Sequence, residues 1–135
     1  MVKVIVGIFL ALHGLVHLLY FGQSARLFEL KPGMTWPEAA WAFSKLLGDS
    51  GTRTLASLMC ILAAAGFVIG GAGVLLGQAW WQTAAVAAAG LSGVIYILFW
   101  NGRMQNLDGQ GVVAILIDAA ILAAVLIFHW PKIGA

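Results

Sequence analysis

Four apolar runs, each close to the length needed to cross a bilayer, occupy most of this 135-residue sequence. Crossing about 30 Å of hydrocarbon as a helix takes about 20 predominantly apolar residues. The runs at 2–21, 54–76, 79–100 and 111–129 meet that length. Water cannot be the main solvent of such a chain: 62% of its residues are hydrophobic and 9% are charged, against about 25% charged in a soluble domain. The expected fold is all-α: one membrane domain over residues 1–135, a four-helix up-down bundle in a lipid bilayer.

Seven basic residues against five acidic ones give a net charge of +2, too thin and too scattered for nucleic-acid binding. The one cysteine, Cys60, excludes an internal disulfide, a CxxC pair and a multi-thiolate zinc site. On an apolar stretch it reads as a small hydrophobe. Gln23, not a small residue, stands before Ala25, so the first run lacks the cleavage pattern of a signal peptide and is expected to remain as a span.

The connections are short except for 22–53. Only Gly77, Gln78 and their neighbours separate the second and third runs, which predicts a tight antiparallel hairpin. A polar turn with Arg103 and Asp108 joins the third and fourth, and Trp80, Trp81, Trp100 and Trp130 fall at the expected span ends, where an indole can stand between lipid and water. In the long connection, Thr35-Trp36-Pro37-Glu38 reads as a capping box with proline in the first turn. Trp36, Ala39, Ala40, Phe43 and Leu47 then share one face, and Gly48 supplies a stop. The spacing predicts a short interfacial amphipathic helix over 36–47. Arg26, Lys31, Lys45, Arg53 and Arg103 lie on the loop side, and Lys3 and Lys132 on the side of the termini; the excess puts the loops in the cytoplasm and the termini outside.

Helices in lipid approach one another through small residues. Gly66-x3-Gly70, Gly73-x3-Gly77, Ala85-x3-Ala89-x3-Gly93 and Gly7-x3-Ala11 supply such faces. They serve either the bundle, with the second and third spans as its tightest pair, or a homo-oligomer or larger membrane complex.

The informative residues are the ionisable ones inside the spans. A charged aspartate at a helix centre costs about 2.5–3.5 kcal/mol on insertion scales, so Asp118 needs a partner or a polar cavity. His13 and His17 stand four apart on one face of the first span. At 1.5 Å per residue from the terminal side, His13 and Asp118 both fall at about 16 Å, with Ser92 and His17 at about 20–22 Å. Tyr96 and Cys60 follow at about 25 Å.

Three chemical readings fit this layer. His13, His17, Asp118, Ser92 and Tyr96 could line a pocket for a lipid-soluble ligand or form a proton relay, because a buried His–Asp pair fixes a tautomer and suits acid–base work. His13, His17 and Asp118 could instead hold zinc or copper. Alternatively, they are structural polar glue. An intrachain bis-histidine haem is not expected, since His129 lies about 16–22 Å from the other two along the normal; a single axial ligand to haem or a chlorin is compatible with the spacing. A ligand would arrive from the loop side, passing beneath Trp36 and Phe43, with Arg103 offering a cation to its headgroup.

The size, the four runs and Gly7…His13-Gly14-Leu15-Val16-His17-Leu18 resemble the small bacterial membrane proteins grouped as DoxX-like. The resemblance implies a bacterial inner-membrane location and a link to quinone-associated sulfur oxidation or to thiol and oxidant homeostasis, which turns the ligand expectation toward a quinone. With one cysteine, this chain departs from a dithiol chemistry of its own, and no catalytic residue carries over. The alternative class is a non-catalytic packing subunit of a larger membrane complex.

Overall fold

A computed structural model describes residues 1–30, 32–104 and 107–132, without the side chains of 108 and 109. Lys31, counted above for orientation, and the side chain of Asp108 lie outside the described residues. The chain is all-α: α1 (Val2–Ser24), α2 (Ser44–Leu75), α3 (Trp81–Leu98) and α4 (Val112–Leu122), which continues as one π turn, Ala123–Ile127. Among the described residues three helices, α1, α2 and α3, are long and apolar enough to cross a membrane. Their composition and length make this an integral membrane bundle.

The fourth helix is shorter than the apolar run expected at 111–129. Helix runs from Val112 through Ile127 only, eleven α-helical residues continued by five of π-helix, or about 24 Å, short of the hydrocarbon thickness. Gly111 at φ +84 opens it, and His129 at φ +50 turns the chain away.

The surface is apolar and the interior holds the polar groups. Leu12, Leu15, Leu19, Leu58, Leu62, Ile69, Ile97 and Leu116 point outward, while His13, His17, Ser92 and Asp118 are buried. That distribution follows from lipid as solvent, which accepts a leucine readily and offers a carboxylate nothing.

Small residues set the helix spacing. α1 and α2 form the most extensive contact, in place of the expected α2–α3 pair. A Cβ on Gly71 would come within 2.7 Å of the Gly7 carbonyl oxygen, and one on Gly14 within 2.9 Å of Phe67 Cβ. On another face of α2, Gly66 and Gly70 abut Ala88 and Ala85 of α3. The α2–α3 hairpin is as tight as expected. Gly77 at φ +68 follows the end of α2, with Gln78 N–H donating to Gly73 O (2.9 Å) and Gly77 N–H to Val74 O (3.0 Å), the paired closure of a Schellman motif.

The interfacial helix expected over 36–47 is absent. Residues 36–43 are turns, Ala39 has φ +58, and helix starts only at Ser44, breaking again at Gly48 (φ 73, ψ 177) before continuing as α2. Tertiary contacts override the local pattern. Trp36 is 0% exposed and packs on Tyr20, Tyr96 and Phe99, whereas Ala39 of the supposed apolar face is exposed. Trp41 donates its backbone N–H to Trp100 O (2.8 Å) and its indole N–H to Ile97 O (2.7 Å), tying the segment to the end of α3. Gln23 holds the other side of the loop, donating to Met34 O (2.9 Å) and accepting from Leu30 N–H (3.0 Å). Trp80 and Trp130 are half-exposed at helix ends as expected, but Trp81 is buried in the core.

Gly71→Ala should lower unfolding stability in mixed micelles by about 1–3 kcal/mol, because neither backbone can yield to the methyl group. Gly90, with nothing within 4 Å of a Cβ position, should accept alanine with no loss and a gain of up to about 1 kcal/mol from helix propensity. Equal effects at the two positions would contradict this packing.

Candidate functional site

Between the apolar cluster of Tyr20, Trp36, Tyr96 and Phe99 and that of Leu10, Phe67, Trp81 and Ile121 lies one polar layer to which three helices bring polar groups. From α1, His13 and His17 point into the bundle; α3 supplies Ser92 and α4 supplies Asp118. Phe67 of α2 packs against both imidazoles, its ring centroid 4.6 Å from His13 and 5.2 Å from His17. The shared depth expected for His13, His17, Ser92 and Asp118 is realised as direct contact.

His13 Nε2 lies 2.8 Å from Asp118 Oδ1, at 4% and 2% residue exposure. A carboxylate oxygen accepts, so Nε2 carries the proton when Asp118 is ionised. His17 Nδ1 lies 2.9 Å from the His13 carbonyl oxygen, which can only accept, and His17 Nε2 lies 2.5 Å from Ser92 Oγ. Nδ1–H therefore donates to the carbonyl, and in the neutral ring the Ser92 hydroxyl donates to Nε2. The backbone of α1 thus fixes the tautomer of His17. The two imidazoles meet edge-on, centroids 5.1 Å apart at 85°. Each pair can pass a proton across an existing hydrogen bond: His13 with Asp118, and His17 with Ser92.

This geometry does not assemble the metal set. Among the described residues no three His, Cys, Asp or Glu side chains converge to hold an ion. Both His17 nitrogens are engaged elsewhere, and its only imidazole neighbour stands perpendicular to it.

Tyr96 connects the layer to the loop end. Its ring lies 5.7 Å from His17 and 5.7 Å from Trp36, and it also lines an apolar cavity of about 300 Å³ between the C-terminal end of α3 and the start of α4. Ile97, Trp100, Met104, Gln110 and Ile115 complete the main walls. Gly111 lets α4 begin against the Tyr96 ring, since a Cβ there would collide with it. The Tyr96 hydroxyl and Asp118 Oδ2 are buried without a hydrogen-bond partner among the described residues. Gln110, which lines the cavity, accepts at Oε1 from Asn101 N–H (3.3 Å).

The expected entry residues are placed differently. Trp36 is a buried plug, Phe43 stacks on Phe99 with centroids 5.1 Å apart, and Arg103 is exposed, its carbonyl accepting from the Trp100 indole (2.9 Å). Of the residues that line the cavity, Ile97 and Met104 are exposed. Phe67 and Gln110 went unread in the sequence: Phe67 is one apolar residue among many, whereas a glutamine directly before an apolar run is a signal that could have been used. No protein-family model, curated protein or solved structure matches this chain.

Ser92 and His17 should couple by about 0.6–1.7 kcal/mol in a double-mutant cycle of Ser92→Ala with His17→Phe, the range for hydrogen bonds between membrane helices. Asp118→Leu, which strands His13 in the interior, should cost more, about 3–5 kcal/mol. Additive losses in the cycle would contradict the Ser92–His17 bond.

Proposed function

We propose that this protein binds a lipid-soluble ligand with acceptor oxygens, a quinone headgroup being the best fit, in the cavity between α3 and α4, beside a buried His–Ser–Asp layer that holds protons at defined atoms. The observation that carries the reading is Tyr96. One face of this side chain borders the cavity and another neighbours His17, and its hydroxyl is buried without a partner. Buried polar atoms in that state ask for an explanation. Tyr96 and Gln110 bring hydrogen-bonding side chains to the otherwise apolar walls of the cavity. That combination suits an apolar ring carrying carbonyl oxygens, and about 300 Å³ lies at the small end of ligand sites. The exposed lining residues Ile97 and Met104 favour arrival through lipid. The resemblance of the first helix to DoxX-like proteins points the same way, and to a bacterial inner membrane.

A packing subunit of a larger complex is the second reading. It draws on Gly90 and Gly93 of α3, which have open space at their Cβ positions, while the other glycine faces named above are used within the chain.

A short-chain ubiquinone analogue should quench the fluorescence of Trp100 in detergent-solubilised protein, and Trp100→Phe should remove that component. Gln110→Ala should weaken binding about tenfold, the loss of one hydrogen bond of about 1.4 kcal/mol, and Ile115→Trp should abolish it by filling the cavity. Quenching that survives both substitutions would sink the ligand reading and leave the subunit reading standing.

A further inference from the structure

The ends of α1, α2 and α4 meet around a second and larger cavity, about 720 Å³, on the side opposite the Tyr96 cavity. Lys3 from the first turn of α1, Gly77 just past α2, and Phe128, His129, Trp130 and Lys132 beyond the π turn line it. The local backbone gathers these groups. Gly77 at φ +68 leaves room for the Lys3 ammonium, which lies 3.4 Å from where a Cβ would stand. His129 takes φ +50, and Trp130 N–H closes back onto Ala124 O (2.9 Å), which returns the chain over the helix ends and brings Lys132 to the cavity.

Among the described residues no Asp or Glu side chain lines this cavity. In the sequence the acidic residues are Glu29, Glu38, Asp49, Asp108 and Asp118, none of them in the first turn of α1 or beyond α4. Two ammonium groups and an imidazole thus border one concave space with no side-chain counter-charge. Like charges gathered in this way are relieved by a bound anion. The place in the fold selects the anion. Helix ends of a membrane bundle lie at headgroup depth, where basic pockets bind anionic lipid headgroups. Phe128 and Trp130, 72% and 53% exposed, offer apolar and indole surface beside the cations, as residues at a lipid–water boundary do.

We infer that this cavity is a binding site for the phosphodiester headgroup of an anionic lipid, with Lys3 and Lys132 as its principal ligands. The site lies at the opposite end of the bundle from the Tyr96 cavity and does not depend on that cavity having an occupant.

The test uses the full chain in nanodiscs of mixed phosphatidylglycerol and phosphatidylcholine, released for native mass spectrometry. Wild-type protein should retain phosphatidylglycerol in preference to phosphatidylcholine. Lys3→Gln with Lys132→Gln should reduce that preference about 30-fold, the product of about fivefold for each lysine. Lys45→Gln, an exposed lysine at the far end, should leave it unchanged. The charge-keeping pair Lys3→Arg, Lys132→Arg should retain the lipid, which separates loss of charge from loss of fold. Equal retention of both lipids, an equal loss in Lys45→Gln, or loss in the arginine pair would overturn the proposal. Binding of inorganic phosphate by lipid-free protein, with no preference between the lipids, would assign the site to a soluble anion and overturn the lipid assignment.

Discussion

The hydrogen bond between His13 and Asp118 is the constraint on which the rest of the bundle depends. Lipid solvates a leucine as well as a protein core does, so apolar packing alone gives the four helices little reason to choose one arrangement. A buried carboxylate gives them one. Asp118 must find a donor inside the bundle, and meeting His13 joins the first helix to the last across the interior. The four-residue step from His13 to His17 then places the second imidazole one turn along, where Ser92 of α3 receives it. The polar layer therefore fixes register among α1, α3 and α4, while the glycine faces of α2 fix how closely α1 and α3 approach it.

A layer built this way has two properties that matter for function. Its protons are held in defined places, since the His13 carbonyl selects the tautomer of His17. Its surroundings are apolar and aromatic: Phe67 packs against both imidazoles on one side, and the cluster of Tyr96 and Trp36 lies on the other. Tyr96 neighbours His17 of this layer and also lines the α3–α4 cavity, so one aromatic residue borders both regions.

Much of this was legible in the sequence, and for a physical reason. Helix rise is a fixed length, so counting residues from span ends put His13, His17, Ser92 and Asp118 at one depth, and an aspartate among apolar neighbours had to face inward. Azimuth carries no such ruler, so the pairing of His13 with Asp118 and of His17 with Ser92 was beyond reach. The segment 36–47 misled because its pattern suits an amphipathic helix. What decides there is non-local: the Trp36 ring fills the space between Tyr20, Tyr96 and Phe99, and Trp41 bonds to the end of α3. Gln23, which pins the same loop, belongs to no periodic pattern. The fourth helix is shorter than its apolar run for the opposite reason, since composition runs on to His129 but the α-helix gives way to a π turn at Ala123 and His129 itself is left-handed.

The proposed function requires the buried layer and the α3–α4 cavity to be coupled through Tyr96. Nitrogen-15 NMR of histidine-labelled protein in bilayers, recorded with and without a short-chain ubiquinone analogue, tests it most directly. His17 should give the signals of a ring protonated at Nδ1, the analogue should shift them, Tyr96→Phe should remove or reduce the shift, and His129 should not respond. Histidine spectra that are identical with and without bound analogue would contradict the coupling, even with the cavity filled.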